Sequence, residues 1–127
     1  MFVDRQAIAV TTDGSGNFTG YTAVVRGQVV QIYYVPDGSV PLDTNTDVVF
    51  TEEDSTLPIV TKANIGTSAF SLAPRQPTHA VADGSALLYA AGGAAVADEV
   101  VVAGSRIKLV VAQGGAAKKG TFYVYVA

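Results

Sequence analysis

From Gln6 to Thr12 the chain alternates: Ile8 and Val10 fall on one side, Ala9 and Thr11 on the other. The end of the chain does the same, with Phe122, Val124 and Val126 set against Thr121, Tyr123 and Tyr125. A period of two is the mark of a strand with one buried face, because successive side chains point to opposite sides of a sheet. Short apolar runs of this kind predict nine strands: Gln6 to Thr12, Phe18 to Val25, Gln28 to Val35, Asp47 to Glu53, Leu57 to Lys62, Ser68 to Leu72, Glu99 to Val102, Ile107 to Ala112 and Thr121 to Val126. Between them lies turn chemistry: Asp13-Gly14-Ser15-Gly16-Asn17, Arg26-Gly27, Pro36-Asp37-Gly38-Ser39, Asp83-Gly84-Ser85, Gly104 and Gly114-Gly115. Punctuation every ten or so residues predicts an all-β fold, an antiparallel β-sandwich or jelly-roll-like barrel, as one domain over residues 1–127. The flexible link Gly114 to Gly120 predicts that the last two strands form a hairpin with Lys118 and Lys119 at a basic tip.

The segment from Pro74 to Ala97 breaks the pattern. It carries Pro74 and Pro77, then Ala-rich sequence around Leu87-Leu88-Tyr89 and Gly92-Gly93, with no clean period. It reads as an extended excursion with room for one turn of helix. A long apolar loop in a small domain is expected to be covered by something, so a partner surface is its expected role.

Composition narrows the chemistry. The chain has 127 residues, 49% apolar and 15% charged, and Val (20 residues) and Thr (12) favour strands over helix interiors. The charged share falls well below the roughly 25% usual for folded domains. With no Cys, one His and no Trp, disulfides, thiolate nucleophiles and Cys-containing metal sites are excluded. A net charge of −3 and a pI near 4.8 argue against nucleic acid as a partner. The longest uncharged apolar run, Ala86 to Ala97, is 12 residues, short of the roughly 20 that a membrane helix requires. The first residues show no basic stretch followed by an apolar run, so synthesis without a secretory signal is expected.

Candidate sites read mostly as structure. His79 has no second ligand or nucleophile near it in sequence and reads as a loop residue. Asp43-Thr44-Asn45-Thr46-Asp47 opens like a calcium loop, yet Val48 stands where that loop needs glycine, and its bidentate Glu is replaced by Asp54. The stretch is better read as a turn leading into a strand. Glu52-Glu53-Asp54 would point to alternate faces and cannot converge on one bond. Tyr123 and Tyr125, with Arg106 and Lys108 on the expected neighbouring strand, form the one constellation suited to holding a sugar ring. Tyrosine is more commonly a filler of half-buried sheet and interface positions, and that is the stronger reading of the two. No catalytic residue, cofactor or metal is expected.

Three stretches carry a resemblance: Ile32-Tyr33-Tyr34-Val35-Pro36-Asp37-Gly38, Ala86 to Gly93, and Ser105 to Gly115 with Lys118 to Val126. Over about half its length the chain resembles small capsid decoration, or cement, proteins of tailed bacteriophages. The resemblance implies a non-enzymatic virion protein, made in the bacterial host cytoplasm, that binds the outside of an assembled shell. Its implied partners are the major capsid protein and itself, as a homotrimer, with no nucleic acid and no membrane. The expected contact residues are an unstructured start at Phe2, Asp4 and Arg5, the loop at Arg75 and Leu87, Leu88 and Tyr89, and the tip Lys118 and Lys119. A phage tail or connector protein and a carbohydrate-binding β-sandwich module are the alternative readings.

Overall fold

The computed structural model describes residues 2–127. It is all-β and antiparallel, with no helix among the described residues. One sheet is built from β1 (Asp4–Thr11), β3 (Val25–Pro36), β6 (Phe70–Leu72), β9 (Val100–Ser105) and β11 (Lys119–Val126). Its order is β1-β11-β3-β6, and β9 shares the β6 edge of β3. The second sheet holds β2 (Phe18–Tyr21), β4 (Asp47–Glu52), β5 (Pro58–Lys62) and β10 (Ile107–Ala112) in the order β2-β10-β4-β5. Two short strands, β7 (Gln76–Pro77) and β8 (Ala97–Asp98), pair by themselves.

All nine expected strands are present, and the alternation does what the pattern predicted. Ile8 and Val10, then Phe122, Val124 and Val126, face the interior, where they meet Val48, Phe50, Ile107, Leu109 and Val111 of the other sheet. The rings of Tyr34 and Phe122 stack at 4.6 Å, and Phe50 meets Phe122 edge-on at 5.5 Å, so this aromatic group joins the two sheets.

Several local expectations are corrected. Arg26-Gly27 is no turn but lies inside β3, and the chain changes sheets just before it, at Thr22 to Val24. Thr22 holds this corner with its hydroxyl, which accepts a hydrogen bond from the Ile107 N–H at 3.0 Å. Gly104 lies within β9, at φ 77°, as the extra residue of a bulge opposite Val25 and Arg26. A second bulge, at Val30, puts Val29 and Ile32 on the same buried face although they are three apart.

The largest correction concerns the final pair of strands. β10 and β11 do not form a hairpin: β10 pairs with β2 and β4, β11 with β1 and β3. Their link crosses between sheets because it is tied down elsewhere. Buried Thr12 donates its hydroxyl to the Gly115 carbonyl at 2.6 Å and accepts from the Lys118 N–H at 2.8 Å. The Gly114 N–H donates to Gly16, and the Asp43 N–H to Gly114. Lys118 and Lys119 are therefore not a flexible tip; Lys119 opens β11 opposite Thr11.

Among the described residues, one buried side-chain polar atom has no hydrogen bond of good geometry: the Tyr34 hydroxyl, which has only the Leu42 backbone near it. Burial pushes its pKa up. An unmade hydrogen bond leaves a desolvation cost that phenylalanine would not carry. Tyr34→Phe is therefore expected to leave stability within about 0.5 kcal/mol of wild type or to raise it, as read from urea unfolding. A loss above about 1 kcal/mol would show that the hydroxyl is bonded in solution.

Candidate functional site

The Pro74–Ala97 excursion is an arm of β structure, and the expected helical turn is absent from it. It leaves the sandwich between β6 and β9, both on the free margin of β3. Three segments meet in a closed ring of backbone bonds: Thr78 N–H to Val96 at 2.8 Å, Val96 N–H to Leu87 at 2.9 Å, and Leu87 N–H to Thr78 at 3.1 Å. Bridges His79–Ala86 and Leu88–Ala95 extend the two hairpins. Asp83-Gly84-Ser85 turns the first, with Gly84 at φ 72°, and Ala90 to Gly93 turns the second, with Gly92 at φ 71°. Such positive φ suits glycine, which has no Cβ to clash.

The arm is apolar and uncovered. Val81 is wholly in water, Tyr89 is about three-quarters exposed, and Leu87 and Leu88 are 42% and 43% exposed. From His79 to Ala97 its single charged side chain is Asp83. At its root Arg75 makes a loose pair with Glu99, 3.9 Å apart, and donates to the Pro74 carbonyl at 2.8 Å. Beside the root runs an apolar groove of about 440 Å³ between β5 and the arm, lined by Leu57, Pro58, Ile59, Val60, Thr61, Arg75, Gln76, Pro77 and His79. β5 is the last strand of its sheet, so this groove lies along an open sheet edge. Sequence reasoning did not find it, since its two walls are distant in the chain.

The expected contact residues fall in three separate places. Phe2 is 98% exposed ahead of β1, but Asp4 and Arg5 belong to β1 and pair with Val126 and Tyr125, so the start is not unstructured there. Lys118 and Lys119 lie at the other end of the same ladder, where Lys119 faces Thr11. Seven residues of strand separate Asp4 from Thr11, about 23 Å. The arm, with Arg75, Leu87, Leu88 and Tyr89, stands on the opposite margin of the sheet, three strand spacings or about 14 Å from β1.

The tyrosine constellation is rearranged. Arg106 and Lys108 are not beside Tyr123 and Tyr125, because β10 and β11 lie in different sheets. Tyr123 stacks on Tyr33 at 6.2 Å instead, and the guanidinium of Arg5 lies 4.7 Å from its ring centroid. Arg106 covers Tyr21 at 4.0 Å and grips Glu53 with two donors, its Nε–H at 2.6 Å. The outward parity of Tyr33 was available in the alternation; its pairing with Arg5 was not.

Carboxylates elsewhere do structural work. In each of the three Asp-Gly-Ser turns the aspartate accepts the serine N–H two residues on: Asp13 from Ser15 at 2.9 Å, Asp37 from Ser39 at 2.9 Å, and Asp83 from Ser85 at 3.0 Å. These bonds, with those from Asn17 to Asp13 and from Val40 to Asp37, favour the ionised form and lower all three pKa values. The Ser105 and Ser55 hydroxyls hold Glu52 down to about 2, and Arg106 lowers Glu53. A carboxylate whose folded pKa is depressed stabilises the fold above its unfolded value, and loses that contribution as pH falls through the folded one. Stability is therefore expected to hold from neutrality to about pH 5 and to decline from there toward pH 2. The urea midpoint at pH 3 should lie below that at pH 7, and less so in Glu52→Gln; equal midpoints in the wild type would contradict it. Asp43 to Asp47 forms a turn into β4, closed by the Thr46 N–H on the Asp43 carbonyl at 3.1 Å. Asp47 is committed to the Asn64 N–H at 3.0 Å.

Comparison with known proteins adds a limited statement. No family model matches the chain, and no curated protein matches it. Among solved structures, the crystal structure of FLHE aligns over 98% of this chain and 96% of that one, at 8% identity and a TM-score of 0.40. A likeness of that size carries no argument about function.

Proposed function

We propose that this chain is a non-enzymatic structural protein of a phage virion that binds the outer surface of the assembled capsid and stabilises contacts between capsomers. The observation that supports this best is the arm: a preformed, uncovered apolar element standing on one margin of a rigid sandwich, with further exposed residues at Phe2 and Lys119 on other sides. A protein that binds only the assembled shell shifts assembly toward that shell by mass action. Surfaces on separate sides let one copy hold two neighbours at once, and each contact then raises the effective concentration of the next. This reading involves no reaction.

The test compares capsids with and without the purified protein, heated or placed at low ionic strength, scoring genome release. Decorated capsids should retain their genome to a higher temperature. Phe2→Asp, on a side that the arm does not occupy, should weaken capsid binding about tenfold or more, because burying that ring contributes about 1.5–3 kcal/mol. If bare and decorated capsids release together, the reading fails. Glycan binding on the face of Tyr33, Tyr123 and Arg5 would then be the reading to test.

A further inference from the structure

We infer that the apolar arm of one copy docks in the groove beside β5 of a second copy of the same chain. One molecule carries both halves of the contact: a projecting apolar segment, Leu87-Leu88-Tyr89, and an apolar groove of about 440 Å³. None of the three arm residues lines the groove of its own chain, although the ring of bonds among Thr78, Leu87 and Val96 fixes the arm to the groove's outer wall at Pro77 and His79. Charge also matches. The only ionised side chain of the arm beyond its root is Asp83, and the only one lining the groove is Arg75. Arg75 is 45% exposed and its partner Glu99 is 3.9 Å away, which leaves guanidinium donors free for an incoming carboxylate.

The arm is also prepared for docking. Its backbone bonds are already made, so little chain entropy is lost on binding. The groove wall is an edge strand, and a second chain covering it removes the hazard that an open edge poses. Each copy gives one arm and receives one, so a reciprocal pair and a closed ring use the same contact. This inference names the partner of the arm and rests on the reading of the arm as a contact element. Its test needs no capsid, so self-association and cementing can fail independently.

Light scattering on the purified chain should give a mass that is a multiple of 13.1 kDa; a monomer at every concentration overturns the inference. The chain has no cysteine, so an introduced one is unique. Leu88→Cys on the arm and Thr61→Cys in the groove, both at exposed positions, are made as separate proteins, mixed and oxidised. The expected product is the mixed disulfide, in a proportion well above random pairing and identified by intact mass. Leu88→Cys homodimers in excess would mean that arms meet arms, and random pairing would mean no contact. Either result overturns the docking, while capsid binding measured by co-sedimentation would still stand or fall by itself.

Discussion

Replacing Phe122 with alanine is expected to cost about 3–5 kcal/mol, the range for emptying a buried aromatic site. Phe122 is fully buried on β11, stacked on Tyr34 of its own sheet and edge-on to Phe50 of the facing one. Its loss would remove the contact that both sheets share and leave a void that two rigid sheets cannot close. Domains of this size are stable by about 5–15 kcal/mol, so the variant should unfold at much lower denaturant, by roughly a fifth or more of the total. Tyr125→Ala, on the outward face of the same strand, is the comparison and should cost far less. A Phe122→Ala loss below about 1 kcal/mol would mean that the ring is not where the two sheets meet.

Gly27→Ala is the second large effect. Gly27 sits inside β3 at φ 126°, a conformation that side chains rarely adopt. A Cβ built there would lie 2.2 Å from the Ala127 carbonyl oxygen. That oxygen accepts the Gln28 N–H at 2.9 Å, and the Ala127 N–H donates back to Gln28 at 2.9 Å. Alanine would thus bring backbone strain of about 1–3 kcal/mol and displace a reciprocal pair of bonds contributing about 0.5–1.5 kcal/mol each. Roughly 2–6 kcal/mol follows by addition. Gly38→Ala, where a Cβ meets nothing within 4 Å and φ is not positive, should be near neutral. Equal unfolding midpoints for the two variants would refute the account of Gly27.

The arm joins these stability arguments to function. The core of the sandwich is built without the arm, and Leu87, Leu88 and Tyr89 lie outside it with much of their surface in water. Apolar surface that a fold does not use is expected to serve contact with another molecule. The length and apolar content of the excursion already suggested this; the existence of an apolar groove beside β5 did not follow from them.

What the sequence determined by itself is local. Short apolar runs between turns marked the nine strands, and the period of two marked the buried faces of the first and last, because a side chain's direction in an unbulged strand depends only on its parity. The three Asp-Gly-Ser turns were equally legible, since the bond that closes each spans two residues. The partition of strands between sheets was not. The glycine-rich link from Gly114 to Gly120 looked like a hairpin, and it crosses between sheets because Thr12, more than a hundred residues earlier, binds Gly115 and Lys118. The same long-range placement parted Tyr123 from Arg106 and Lys108, gave it to Arg5 and Tyr33, and brought Pro77 and His79 beside β5 to make the groove. Partner choice depends on contacts between residues far apart in the chain, and a pattern read over a few residues carries no record of them.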